Sequence, residues 1–221
     1  MKTIGVLLSG CGVMDGAEIH ESVITLLAID RAGAKARCLA PNVDQMHVVN
    51  HMTGQPAKGE RRNVLVESAR IARGEIEDVA EVTPDDLDAL VIPGGYGAAK
   101  NLCTYAVDGP KCTVNEPAAR LIRGMLVARK PVGAICIAPA MLAKALEGTA
   151  IKPKLTIGND AGTAANLKTM GAVHEACPVR EFAVDEEHRI VTTPAYMLAG
   201  RISEAADGIE KLVRKVLELC R

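Results

Sequence analysis

The chain has 221 residues, of which 48% are hydrophobic, enough material for one compact domain with a sizeable core. Its 26 basic residues against 27 acidic ones give a formal net charge of −1, and aromatics make up only 2%, so neither a phosphate-binding surface nor a base-stacking platform is expected and nucleic acid is excluded as a partner. Seven cysteines, an odd number scattered through a mid-sized chain, do not form the pattern of a disulfide framework.

In chain order, a strand is predicted over residues 3–8, without the apolar core and small-residue site of a signal peptide, and no apolar run reaches membrane-spanning length. The expectation is a cytoplasmic protein with no membrane partner. A helix over 17–32 follows, with Ile19, Val23, Leu26 and Leu27 sharing one face and Gly33 stopping it. A strand over 35–39 leads into 42–82, which fits the βα alternation poorly and is read as an insertion: a Gly/Pro/Lys stretch at 54–59 precedes a helical 61–72. Strands are predicted at 89–92, 132–135 and 155–157. Helices are predicted from the Asn115 cap to 129, from Ile137 with Pro139 in its first turn, and from the Asp160 cap to Gly171. A β-hairpin at 182–184 and 190–192 is placed on one sheet edge, and a last helix over 201–220 presents Ile202, Ala206, Ile209, Val213, Val216 and Cys220 as its apolar face. Short apolar strands alternating with helices imply an α/β fold: a three-layer sandwich with a mostly parallel central sheet, formed by one domain over 1–221.

Three stretches carry candidate chemistry. Val132-Gly133-Ala134-Ile135-Cys136-Ile137-Ala138-Pro139 runs an apolar strand through a cysteine into a helix, the pattern of a nucleophile elbow. A helix N-terminus favours a thiolate at such a cysteine through its dipole and free N–H groups. Ile92-Pro93-Gly94-Gly95-Tyr96-Gly97 ends a second strand, and its paired glycines let backbone N–H groups approach a ligand, as an oxyanion hole requires. The loop 9–16 ends a third strand and leads to Glu18 and Glu21, either of which can reach toward Cys136 and move protons if burial keeps it protonated. In open α/β sheets such strand ends gather into one site.

Other patterns lack a necessary residue. Gly10-x-Gly12 has Asp15 where a dinucleotide's pyrophosphate would sit, His20-Glu21 is followed by Ile24 where a zinc helix needs its second histidine, and His47 and His51 have no third ligand in the pattern. No cofactor and no metal are expected.

These stretches together resemble the PfpI-like superfamily of the class I glutamine amidotransferase-like, flavodoxin-like fold, and within it the ElbB-like family associated with enhanced lycopene biosynthesis. The resemblance also takes in Asn50-His51-Met52-Thr53-Gly54, Arg62-Asn63-Val64-Leu65, Gly97-Ala98-Ala99-Lys100-Asn101-Leu102 and Thr192-Thr193-Pro194-Ala195-Tyr196-Met197-Leu198, and so spans nearly the whole chain. It implies Cys136 as nucleophile, Glu21 rather than Glu18 as its acid partner, and Gly94, Gly95 and Ile137 as the oxyanion- and substrate-binding positions. It further implies a glutathione-independent glyoxalase turning glyoxal or methylglyoxal into a 2-hydroxy acid, with a disputed deglycase reading, and a homodimer. Two departures matter. Residues 193–197 hold no histidine where amidotransferases keep one, and Ile137 stands where the protease-like branch has its base. A redox sensor using an oxidisable Cys136, and a hydratase or hydrolase of another small electrophile, are the rival readings. Tyr96 and Tyr196 are candidate pocket borders.

Overall fold

The computed structural model describes residues 1–220. Its first half runs β1 (Thr3–Leu7), α1 (Ile19–Arg31), β2 (Lys35–Ala40), β3 (Val49–Asn50), β4 (Gln55–Pro56), α2 (Val64–Ile71), β5 (Ile76–Asp78), β6 (Ala89–Ile92), α3 (Tyr96–Lys100) and α4 (Tyr105–Asp108). The second half runs α5 (Glu116–Val127), β7 (Val132–Ile135), α6 (Ala138–Leu146), β8 (Lys154–Leu155), α7 (Ala161–Thr169), β9 (Val173–His174), β10 (Ala183–Asp185), β11 (Ile190–Thr193) and α8 (Ile202–Leu219). Seven strands form one sheet in the order β10-β11-β7-β6-β1-β2-β5. Every pairing is parallel except the edge hairpin β10–β11.

Strand alternation splits the core between the two faces of this sheet. Ile4, Val6 and Leu8 meet Ile24 and Ile29 of α1 and Ile209, Leu212 and Val213 of α8. On the opposite face Leu7, Leu39 and Ile92 meet Leu121, Ile122 and Met125 of α5 and Met141 and Leu142 of α6. The result is the three-layer α/β sandwich expected, with the edge hairpin in place. Asn115 and Asp160 cap α5 and α7 through their side chains, accepting the N–H groups of Ala118 and Thr163. All seven cysteines are free thiols.

Four expectations are corrected. Ile19, Val23 and Leu27 of α1 are more than 40% exposed, whereas Glu21, Ser22, Ile24, Thr25, Ala28 and Ile29 are buried, so the helix turns its polar first turns inward. Ile202 of α8 is likewise exposed, and Ala205, Gly208 and Leu212 take its place in the buried stripe. Residues 155–157 do not extend the central sheet; Leu155 belongs to β8, which pairs only with β9. The stretch 42–82 divides in two: β3 and β4 form a separate hairpin, but α2 and β5 are a regular crossover, with β5 parallel to β2 at the sheet edge.

Candidate active site

The carboxyl ends of β1, β6 and β7, three adjacent strands, deliver the three chemistry-bearing stretches to one place. Cys136 follows β7 directly and has φ +61°, a left-handed conformation that side chains other than glycine rarely adopt. The turn is held because the Cys136 N–H donates to the Thr193 carbonyl at 3.0 Å, after which α6 starts with Pro139 in its first turn. This is the sharp strand-to-helix turn expected at Cys136, with the residue 8% exposed.

Glu21, in the first turn of α1, is fully buried. Its Oε2 accepts the Gly94 N–H at 2.9 Å, its Oε1 accepts the Tyr196 N–H at 3.3 Å, and its carboxyl hydrogen-bonds the Cys136 side chain. Burial, reinforced by the charge of Glu18, pushes the Glu21 carboxyl up to about 8 against the pull of these hydrogen bonds. At neutral pH it therefore carries a proton. Burial, and next the negative charge of Glu21, hold the Cys136 thiol well above its ordinary range, while the N–H groups of Gly95 and Ile137 favour the thiolate. The helix N-terminus alone thus does not lower this thiol as expected from sequence. Once Glu21 is neutral, however, the like-charge cause disappears.

Glu18, the other candidate carboxylate, plays a different part. Its Oε2 accepts the Glu21 N–H at 2.6 Å and caps α1. The paired glycines also separate in role. The Gly94 N–H is already taken by Glu21, so Gly94 is corrected from oxyanion donor to a spacer: a Cβ there would lie 2.5 Å from Cys136 Cβ and 2.8 Å from Glu21 Oε2. Gly95, at φ +88°, and Ile137 keep N–H groups directed at the Cys136 sulfur.

Cys136 opens on a pocket of about 410 Å³. Val13, Tyr96, Ile137 and Met197 supply apolar walls, and Tyr196 borders it as expected. Glu18 and Asp160 place carboxylates in the lining, with Thr163, and among the described residues no lysine, arginine or histidine belongs to it. Val13, Asp160, Thr163 and Met197 were not singled out from sequence as pocket residues, because a wall assembled from three separate chain segments leaves no local pattern. His20, noticed only within an incomplete zinc pattern, sits outside the lining with Nδ1 2.8 Å from the Tyr196 hydroxyl.

Against known proteins, residues 11–157 match the model of the DJ-1/PfpI family. Over 98% of this chain and 82% of the relative, the sequence is 47% identical to the Homo sapiens glutamine amidotransferase-like class 1 domain-containing protein 3, mitochondrial. It is 45% identical to the Rattus norvegicus ES1 protein homolog, mitochondrial, over 98% of this chain and 83% of that one. Among solved structures, an isoprenoid biosynthesis protein with an amidotransferase-like domain from Ehrlichia chaffeensis superposes with a TM-score of 0.90 at 38% identity, covering 98% of this chain and 99% of its own. Drosophila melanogaster DJ-1beta, at 21% identity and a TM-score of 0.56, shares the fold. With its sheet order, its strained cysteine elbow and these matches, the chain belongs to the DJ-1/PfpI family.

Proposed function

We propose that this protein is a cofactor-independent glyoxalase that converts glyoxal or methylglyoxal to a 2-hydroxy acid, and that it belongs to the ElbB-like branch of its family. The observation that carries the reading is the buried Glu21 carboxyl, raised to about 8 and hydrogen-bonded to the side chain of Cys136, the cysteine that opens on a pocket whose lining contains no histidine. In the reaction the pair works with one proton between its members. The Cys136 thiolate attacks the aldehyde carbon, and the resulting oxyanion, lying against the Gly95 and Ile137 N–H groups, takes the Glu21 proton to become the hemithioacetal hydroxyl and leaves Glu21 as the carboxylate. Glu21 then carries a proton from that carbon to its neighbour through an enediol, giving a thioester that water releases. A lining with two carboxylates and no cation favours an uncharged aldehyde over an anionic one.

A redox-sensing role is less well supported, since sensor cysteines are exposed and low in pKa, whereas Cys136 is buried and raised. Similarity to the Ehrlichia chaffeensis isoprenoid biosynthesis protein supports the ElbB-like assignment. A homodimer is also proposed, to be tested by sedimentation. A cytoplasmic location is proposed too, and fractionation decides between it and the mitochondrial compartment named for the curated relatives.

The deciding experiment measures glyoxal and methylglyoxal turnover without glutathione or metal, following aldehyde loss and hydroxy-acid formation together. Multiple turnovers are expected in the wild type, none in Cys136→Ala and few in Glu21→Gln. Stoichiometric aldehyde loss alone, or turnover indifferent to Cys136, would overturn the reading.

A further inference from the structure

An enediol shift moves two protons, and Glu21 is placed for one of them. As the hydrogen on the attacked carbon passes to the neighbouring carbon, the hydroxyl proton of the first carbon must also be lost while the oxygen of the second gains one. Glu21 is engaged on both oxygens by the Gly94 and Tyr196 N–H groups and contacts the sulfur, so it serves the carbon-bound proton. The second transfer needs a donor elsewhere on the pocket wall.

We propose that Tyr196, backed by His20, is that second proton-transfer group, its phenol acting on the substrate oxygen one carbon away from the carbon bound to Cys136. The inference rests on the glyoxalase reading and adds a catalytic residue to it. Tyr196 lines the same pocket as Cys136. Its hydroxyl lies 2.8 Å from His20 Nδ1, with the two rings tilted at 45°. The His20 side chain is 53% exposed to solvent, and Glu18 Oε1 lies 3.9 Å from the same Nδ1. Burial and the charges of Glu18 and Glu21 raise the phenol, which therefore keeps its proton at neutral pH and acts as a donor. His20 and Glu21 are consecutive in the first turn of α1 and hold Tyr196 from two sides, one by its hydroxyl and the other by its backbone N–H.

The steps balance without an external oxidant. Glu21 carboxylate takes the C–H proton of the hemithioacetal, the C–H electron pair becomes the enediol double bond, and the neighbouring carbonyl's π pair moves to its oxygen. That oxygen takes the Tyr196 proton, and the phenolate regains one passed through His20, 2.8 Å away. On collapse, the hydroxyl of the sulfur-bearing carbon releases its proton through water to His20, its O–H pair becomes the thioester carbonyl, and the enediol pair takes the proton held by Glu21. One carbon is oxidised and its neighbour reduced, while Glu21, Tyr196 and His20 return to their starting states.

The test is steady-state methylglyoxal turnover in the wild type, Tyr196→Phe, His20→Ala and the double variant. Tyr196→Phe should lower kcat by roughly 100-fold while KM changes by less than about threefold, the signature of a group acting in the transition state. His20→Ala, at an exposed position, should lower kcat by about 10-fold, recover on addition of imidazole, and have no further effect in the Tyr196→Phe background. A wild type that turns over while Tyr196→Phe keeps its kcat within about threefold would overturn the second group alone. Additive losses in the double variant, or no imidazole rescue, would remove His20 from the relay. No turnover in the wild type would remove the glyoxalase reading and this step with it.

Discussion

Glu21 is a carboxyl whose folded value, about 8, stands above its unfolded value near 4.5. Between those pH values the folded chain binds more protons than the unfolded one, so the contribution to stability is complete below about pH 4.5 and is lost as pH rises through 8. The loss reaches on the order of 4 kcal/mol at pH 8. Thermal midpoints of wild type and Glu21→Gln, measured across this range, should therefore draw together or cross in the variant's favour as pH rises, because glutamine does not titrate. Parallel curves would show that the carboxyl titrates at its ordinary value. Activity should move in the opposite sense. The working pair holds one proton, so kcat/KM should climb toward pH 8 as the first proton leaves. Destabilisation and activation then share one cause, the buried carboxyl, which is the trade expected of a functional group kept away from water.

Among the elements, the turn between β6 and α3 determines how closely β6, β7 and α1 can meet. Gly94→Ala would place a methyl 2.5 Å from Cys136 Cβ and 2.9 Å from the Ile135 carbonyl oxygen, atoms of a strained elbow that has no room to give. We expect a loss of about 2 kcal/mol or more and near-complete loss of turnover, read by chemical denaturation and by the glyoxal assay. Wild-type behaviour would mean that the elbow relaxes freely. This turn and β7 were legible in the sequence because a fully apolar strand ending in Gly-Gly or Cys carries its own boundary. α1 was legible as a helix but not in orientation. Periodicity reveals an apolar stripe, here Ile19, Val23 and Leu27, whereas the buried side is fixed by the hydrogen bonds waiting for Glu21 at Gly94 and Tyr196. Those partners lie 73 and 175 residues away, beyond any local window. The same distance hid the use of the Gly94 N–H, and it left α2 and β5 looking like an insertion until β2 supplied the parallel partner.

Across the whole molecule, the 42–63 segment is fastened to the loop that forms one wall of the pocket. Asn101 is the node: its Nδ2 donates to the carbonyls of Ser9 at 2.8 Å and Asp15 at 2.9 Å, and its Oδ1 accepts the Met46 N–H at 3.0 Å. Asp15 Oδ2 in turn accepts the Val49 N–H at 2.7 Å, and Ser68 Oγ accepts the Gly10 N–H at 2.8 Å. Val13, on the pocket, lies inside this tethered loop. Removing the Asn101 side chain leaves the Ser9 carbonyl and the Met46 N–H without partners and the Asp15 carbonyl with only Gln45 Nε2, at 3.2 Å, a cost of about 2–5 kcal/mol. Asn115→Ala removes only a helix cap, worth about 1 kcal/mol. For a chain of this length the corresponding falls in thermal midpoint are roughly 5–15 °C and 2–4 °C. If the tether also sets the wall, Asn101→Ala should raise the KM for methylglyoxal below its melting range, while Asn115→Ala, on the distant α5, should leave KM unchanged. A large loss of stability with KM intact would assign Asn101 to the fold alone and free the pocket wall from the 42–63 segment. A rise in KM would make that segment part of the site although none of its residues line the pocket.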